Sequence, residues 1–134
     1  MALKLIELHG MTDDLAGKLK SQGLGNSGKL LAAVAQPKAR AEMAAKLGVS
    51  ERALLELGNR ADLARIRGVG RVFSDLLESA GVDTVAELAT RKPENLYSKI
   101  VEVAPQHFVK RLPRPADVQN WVEQAKSLER AIWY

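Results

Sequence analysis

The amino-acid sequence predicts an all-α fold of short helices joined by tight turns. Apolar residues recur at intervals of three and four, and glycines and prolines separate these stretches. No stretch alternates apolar and polar residues for long enough to indicate a strand. The 134 residues suffice for one compact domain or two small ones, and a hydrophobic content of 46% argues against a disordered chain.

Each predicted helix has its own start or stop signal. Ser50 begins a short helix expected to run to Leu57, and Gly81 ends the helix that follows residue 70. Either Thr84 or Asp83 caps the next helix. First-turn prolines are Pro37, Pro93 and Pro115. In the last helix the buried stripe comprises Val118, Trp121, Val122 and Ala125.

The first half of the chain aligns with the second half. At an offset of 58 the paired glycines are Gly10 with Gly68 and Gly23 with Gly81. At an offset of 56 Pro37 pairs with Pro93, and at 55 residues 57–63 pair with residues 112–118. We therefore predict two related units that share a core, residues 1–59 and residues 60–134.

Charge and composition narrow the function classes. The net charge of +4 and a pI near 9.5 permit a polyanionic partner without requiring one. The absence of cysteine excludes disulfides, thiolate metal sites and cysteine nucleophiles. No segment has the character of a signal peptide or a membrane span. We expect a cytoplasmic protein with no membrane partner, and the sequence leaves its oligomeric state open.

The sequence contains few residues whose type and spacing would suit a catalytic site. His9 and His107 lie in different halves, and neither has metal-ligand spacing with a carboxylate. Residues 23–29 match the spacing of a P-loop, but Leu30 replaces the required Ser or Thr, and the preceding pattern is helical. We therefore expect a protein that is not an enzyme and that has neither cofactor nor metal.

The most informative segment is the central hairpin, residues 66–71, which consists of Ile-Arg-Gly-Val-Gly-Arg between two helical patterns. Glycine permits positive φ and close approach of another backbone. A helix that begins at Gly70 would offer free N–H groups to phosphate. Arginines 60, 65, 67 and 71 add charge around this turn. The residues predicted to contact nucleic acid are Arg65, Arg67, Gly68, Val69, Gly70 and Arg71.

Residues 63–70 and 76–85 resemble tandem helix-hairpin-helix proteins. Residues 91–96, 112–115 and 121–128 resemble more narrowly a bacterial family that is catalogued as a domain of unknown function and is related to those proteins. The resemblance covers about residues 45–130. It implies two fused helix-hairpin-helix (SAM-like) repeats and no established activity.

In helix-hairpin-helix proteins generally, the glycine–hydrophobe–glycine turn binds DNA phosphates through backbone amides. The matching positions here are Gly68, Val69 and Gly70, with Arg71 just inside the second helix. The resemblance therefore implies duplex DNA binding without strong sequence preference. The first hairpin, residues 8–13, departs from this pattern because Asp13 and Asp14 would repel phosphate, so we expect it to be structural.

Two alternatives stay open at this point. The central hairpin could serve packing alone, with its arginines solvated. The protein could also be an interaction module that keeps the fold and binds a protein partner, as the acidic first hairpin and the aromatic C-terminus would allow. Residues 132–134, Ile-Trp-Tyr, either fold back over the helices, which we favour, or form an exposed contact.

Overall fold

Eight α-helices make up most of the fold in the computed structural model, which describes residues 3–107 and 109–134. In chain order they are α1 (Asp13–Ser21), α2 (Ser27–Val34), α3 (Pro37–Leu47), α4 (Glu51–Leu63), α5 (Arg71–Ser79), α6 (Val85–Leu88), α7 (Pro93–Val103) and α8 (Pro115–Ser127). Two 3₁₀ segments are Leu5–Glu7 and Ala104–Gln106. These described residues contain no strand, so the all-α prediction is confirmed.

Most helix starts agree with the predicted signals. The three predicted prolines occupy the first turns of α3, α7 and α8. In α1, α2, α4 and α6 a side-chain oxygen just before the helix accepts the N–H of its third residue. These capping residues are Thr12, Asn26, Ser50 and Thr84. Of the two candidates before α6, Thr84 is therefore the cap.

The buried apolar side chains form two clusters, which corrects the prediction of one shared core. The first cluster draws mainly on α1–α4 and the second on α5–α8. The helix α4 runs past the predicted end at Leu57 and joins the clusters, since Ala61 belongs to the first and Leu63 to the second. The helix α4 therefore spans both units, while the buried apolar side chains of the two units stay in separate clusters. The predicted boundary between residues 59 and 60 lies within this helix.

The C-terminal segment crosses back from the second unit onto the first. Ile132 is 2% exposed and packs against Gly58, where a Cβ atom would lie 2.8 Å from Ile132 Cδ1. The Trp133 N–H donates to the Ala35 carbonyl at 2.8 Å. The buried Arg40 donates to the Trp133 carbonyl at 2.9 Å. Ile132 thus folds back as predicted and ties the two units together, whereas the side chains of Trp133 and Tyr134 stay 38% and 63% exposed.

Helix order recurs in the two halves, and the helix lengths agree at three of the four positions. The helices α1–α4 have nine, eight, eleven and thirteen residues, and α5–α8 have nine, four, eleven and thirteen. Both glycine pairs at the offset of 58 adopt positive φ. The proposed offset of 55 near the end is wrong, since α4 begins at residue 51 and α8 at residue 115. The long connection before α8 shifts the correspondence.

Candidate functional site

The central hairpin is a tight turn between α4 and α5. Gly68 has φ +96°, and a Cβ atom there would lie 3.1 Å from Nε1 of Trp121. Val69 is buried in the second cluster, and its N–H donates to the Ile66 carbonyl at 3.1 Å. Gly70 precedes the first residue of α5. Both the backbone angle and the close approach of the indole ring therefore require glycine at position 68.

The N-terminus of α5 has no side-chain cap. Its first turn consists of Arg71, Val72 and Phe73 and contains no acid. Among residues 3–107 and 109–134, no acceptor is hydrogen bonded to the N–H groups of Gly70 or of these three residues. The positive end of the helix dipole and its donors are thus uncommitted, which is the arrangement that binds anions.

The three arginines nearest the turn are placed differently. Arg67 and Arg71 are exposed, and no carboxylate in the described part of the chain pairs with either one. Arg65 instead donates through Nη1 to Asp62 at 2.7 Å and through Nη2 to the Glu129 carbonyl at 2.7 Å. Its guanidinium group is therefore occupied on two sides and its charge is balanced by Asp62, so it offers neither a free donor pair nor an unpaired charge.

Arg60, the fourth arginine of the cluster, is part of the contact between the two units. It is 8% exposed and forms ion pairs with Asp75 and Glu78 of α5. Both carboxylates neutralise it within the protein. Arg60 therefore takes no part in an anion site, and two unpaired arginines are left beside the turn.

The structure brings the two histidines to one pocket, although they are distant in the sequence. His9 Nδ1 lies 3.3 Å from Asp75, and His107 Nε2 lies 2.8 Å from Ser79 Oγ. The pocket is lined by His9, Arg60, Asp75, Glu78, Ser79 and His107. Within the described residues no group of three His, Asp or Glu side chains is arranged to hold a metal ion.

The first hairpin, like the central hairpin, contains a glycine at positive φ, but the helix that follows it is capped. Gly10 has φ +92°, and Thr12 Oγ1 accepts the Leu15 N–H at 3.1 Å. Asp13 and Asp14 occupy the first turn of α1. The cap and the two carboxylates satisfy the positive end of this helix, so it has little affinity left for an anion.

Carboxylates gather at the opposite end of α5. Glu78 lines a groove together with Glu56, Asp83, Glu87 and the exposed Tyr134. Arg52 also lines this groove and is paired with Glu56. The pKa of Asp83 is raised by partial burial and by the charges of Glu87 and Glu78. The helix α5 is therefore polarised, with unpaired arginines at its start and carboxylates at its end. Electrostatic repulsion disfavours phosphate at the carboxylate end.

Sequence reasoning missed the support that α8 gives to the hairpin. The Gln124 side chain bonds both backbone groups of Arg67, accepting its N–H at 2.8 Å and donating to its carbonyl at 3.0 Å. Trp121, predicted to be buried, is 3% exposed and lies against Gly68. No local pattern in the sequence links Gln124 to a residue so far along the chain.

Comparison with known proteins identifies a family. A model of the DUF4332 family, described as a domain of unknown function, matches residues 9–128. The chain belongs to this family. The match confirms membership of a domain-of-unknown-function family and extends it to the first hairpin, beyond the resemblance over about residues 45–130.

The DUF4332 assignment brings no activity with it. No curated protein and no solved structure matches the chain significantly. Among the helices of the described residues, none is both long and apolar enough to cross a membrane. Function must therefore be argued from the site itself.

Proposed function

We propose that this protein binds duplex DNA as a cytoplasmic, non-enzymatic module, through the open start of α5. The single observation that carries the proposal is the uncapped N-terminus at Gly70, beside the exposed and unpaired Arg67 and Arg71. In contrast, α1, α2, α4 and α6 begin with a capping side chain. The helices α3 and α7 also lack a side-chain cap, but each begins with a proline, which has no N–H to donate. A DNA phosphate would supply the acceptor that α5 lacks.

The six predicted contact residues take separate roles in this proposal. Gly68, Gly70 and Arg71 supply backbone donors, and Val69 anchors the turn through its buried side chain. Arg67 and Arg71 supply exposed, unpaired charge, and Arg65 lies beside the turn in an ion pair with Asp62. The contacts reach only the phosphate backbone, so binding should be independent of sequence.

The affinity expected of such a module is modest and sensitive to salt. Sequence-independent binding to duplex DNA has Kd values on the order of 10⁻⁴–10⁻⁶ M at physiological salt. Each phosphate neutralised by a cation releases counterions, so affinity should fall steeply as salt rises. With two free arginines the salt dependence should correspond to about two phosphate contacts.

The direct test is Arg71→Glu, measured by fluorescence anisotropy with a short labelled duplex at about 50 mM salt. The variant loses one phosphate contact and adds a repelling charge, so its affinity should fall by about tenfold or more. Lys29→Glu is the matched control. It makes the same change of net charge at an exposed first-turn position of α2, whose start is capped by Asn26, and should bind like the wild type.

Two outcomes would contradict the proposal. The first is a wild-type protein that does not bind duplex at low salt. The second is an equal loss in Arg71→Glu and Lys29→Glu, since that would make binding a property of net charge alone.

A second candidate function is a protein-interaction module. It is favoured by the groove that four carboxylates line together with Tyr134, which is 63% exposed next to Trp133 at 38%. A stoichiometric protein partner that resists nuclease treatment and is lost on deletion of residues 133–134 would support this function over DNA binding.

A further inference from the structure

The entry to the central hairpin is fixed by one side chain of α8. Gln124 accepts the Arg67 N–H through Oε1 at 2.8 Å and donates through Nε2 to the Arg67 carbonyl at 3.0 Å. Its Nε2 also donates to Asn120 Oδ1 at 2.7 Å. The amide group is therefore held in one orientation and bonds both backbone groups of Arg67.

These bonds determine where a phosphate donor points. The peptide group between Arg67 and Gly68 is planar and trans, so its C=O and N–H point in opposite directions. Holding the Arg67 carbonyl against Gln124 therefore directs the Gly68 N–H away from α8. The N–H of Gly68 has no acceptor among the described residues.

Without this restraint the turn would be easy to reorganise. Glycine samples positive and negative φ with similar ease, and a turn that contains it can rotate its peptide group at little steric cost. A rotated peptide would present the Arg67 carbonyl oxygen in place of the Gly68 N–H, and an oxygen acceptor repels phosphate.

We propose that Gln124 is a positioning residue for phosphate binding, which it serves by preventing rotation of the peptide group between Arg67 and Gly68. The inference rests on the proposed DNA binding of the central hairpin. In this role Gln124 contacts the turn through the backbone of Arg67 and does not itself contact the DNA.

The test compares Gln124→Met with Gln119→Met in the full chain. The first change removes both hydrogen bonds to Arg67 and keeps a side chain of similar length, while Gln119 is an exposed glutamine on the same helix. Amide hydrogen exchange of the free protein reads the turn directly. In Gln124→Met the Arg67 N–H should exchange about tenfold faster or more, with the N–H groups of α8 unchanged.

Duplex binding gives the second readout. Gln124→Met should bind about fivefold to tenfold more weakly, which corresponds to roughly one neutral hydrogen bond of lost preorganisation. Gln119→Met should match the wild type in both measurements. Because both arginines beside the turn remain, the salt dependence of the residual binding should be unchanged.

The outcomes separate this inference from the proposed function. If Arg67 loses its exchange protection but DNA affinity stays the same, Gln124 has no positioning role, although DNA binding by the hairpin stands. If α8 as a whole loses protection, the weaker binding reflects unfolding, and the positioning role is overturned. If the wild-type protein does not bind duplex at all, the proposed function fails first.

Discussion

The first hairpin and the central hairpin share a glycine conformation and differ in how the next helix begins. Gly10 and Gly68 both adopt φ above +90°, so both turns need glycine for the same reason. Thr12 then caps α1, whereas Gly70 leaves α5 uncapped. The glycine thus determines the shape of the turn, while the next few residues determine whether the helix start can accept an anion.

The largest loss of duplex affinity is expected when the capping threonine and the acidic first turn of α1 are transferred to α5. Gly70→Thr with Arg71→Asp should cap α5 and repel phosphate, so duplex affinity should fall by about 100-fold. The new cap should contribute a few tenths of a kcal/mol relative to glycine and the new first-turn carboxylate roughly 0.3–1 kcal/mol, so the free energy of unfolding should rise by about 1 kcal/mol in total. Gly70 has extended backbone angles, and a Cβ there would meet nothing within 4 Å, so the position accepts a residue with a Cβ atom.

Anisotropy measures the expected loss of duplex affinity, and urea unfolding measures the expected gain in stability. A variant that is more stable and yet binds DNA more weakly would show that the loss of binding does not come from unfolding. The reciprocal control is Thr12→Ala in the first hairpin, which should lower stability by about 1 kcal/mol and leave duplex binding unchanged. A Gly70→Thr, Arg71→Asp protein that is more stable yet binds DNA as the wild type does would place the DNA site elsewhere.

The parts of the site that were predictable from sequence depend on near neighbours. The glycine at positive φ, the open helix start and the prolines at other helix starts all depend on residues within one turn of each other. The pairing of Arg65 with Asp62 is also local, since the two lie three residues apart. These features could be derived because the backbone alone brings the groups together.

The parts that were missed depend on contacts between helices. Arg60 appeared to belong with the other arginines, but Asp75 and Glu78 of α5 fold against it and neutralise it. A sequence shows which cations are adjacent along the chain and not which carboxylates pack against them. The continuation of α4 through Gly58 has a similar cause, because Ile132 returns from the C-terminus to pack there.

An effect of intermediate size on stability distinguishes the two reasons for glycine at position 68, which are the positive φ and the close contact with Trp121. Gly10→Ala and Gly68→Ala both place a side chain at positive φ, which costs about 1–2 kcal/mol. At Gly68 the new methyl group also lies 3.1 Å from the Trp121 indole nitrogen, whereas at Gly10 the nearest atom is 3.8 Å away, in ordinary contact. Gly68→Ala should therefore cost about 1 kcal/mol more than Gly10→Ala in urea unfolding, because the buried ring must move.

Gly70→Ala is the control for these two variants. Its backbone is extended and its surroundings are open, so its stability should stay close to that of the wild type. Equal losses for Gly10→Ala and Gly68→Ala would show that the indole ring yields without cost and that positive φ alone requires glycine.

The smallest effect concerns the second turn of each half, where Gly25 corresponds to Asp83 at the offset of 58. Partial burial and the charges of Glu87 and Glu78 raise the pKa of Asp83 above 3.8. A raised pKa means that ionisation costs more in the folded state than in the unfolded state. Stability is therefore lost as pH rises from the unfolded pKa through the raised folded one, and the full cost is present near neutral pH.

Asp83→Asn should remove that cost. The variant should gain about 0.5 kcal/mol or less at neutral pH, because solvent screens an exposed carboxylate. Near pH 3 the gain should disappear, since Asp83 is then largely protonated in both states. Asp13→Asn at the start of α1 should have the opposite sign at neutral pH, because it removes a charge that the helix dipole favours. If thermal unfolding showed both variants losing stability at neutral pH, the repulsion around Asp83 would be too weak to matter. The polarity of α5 would then rest on its arginine end alone.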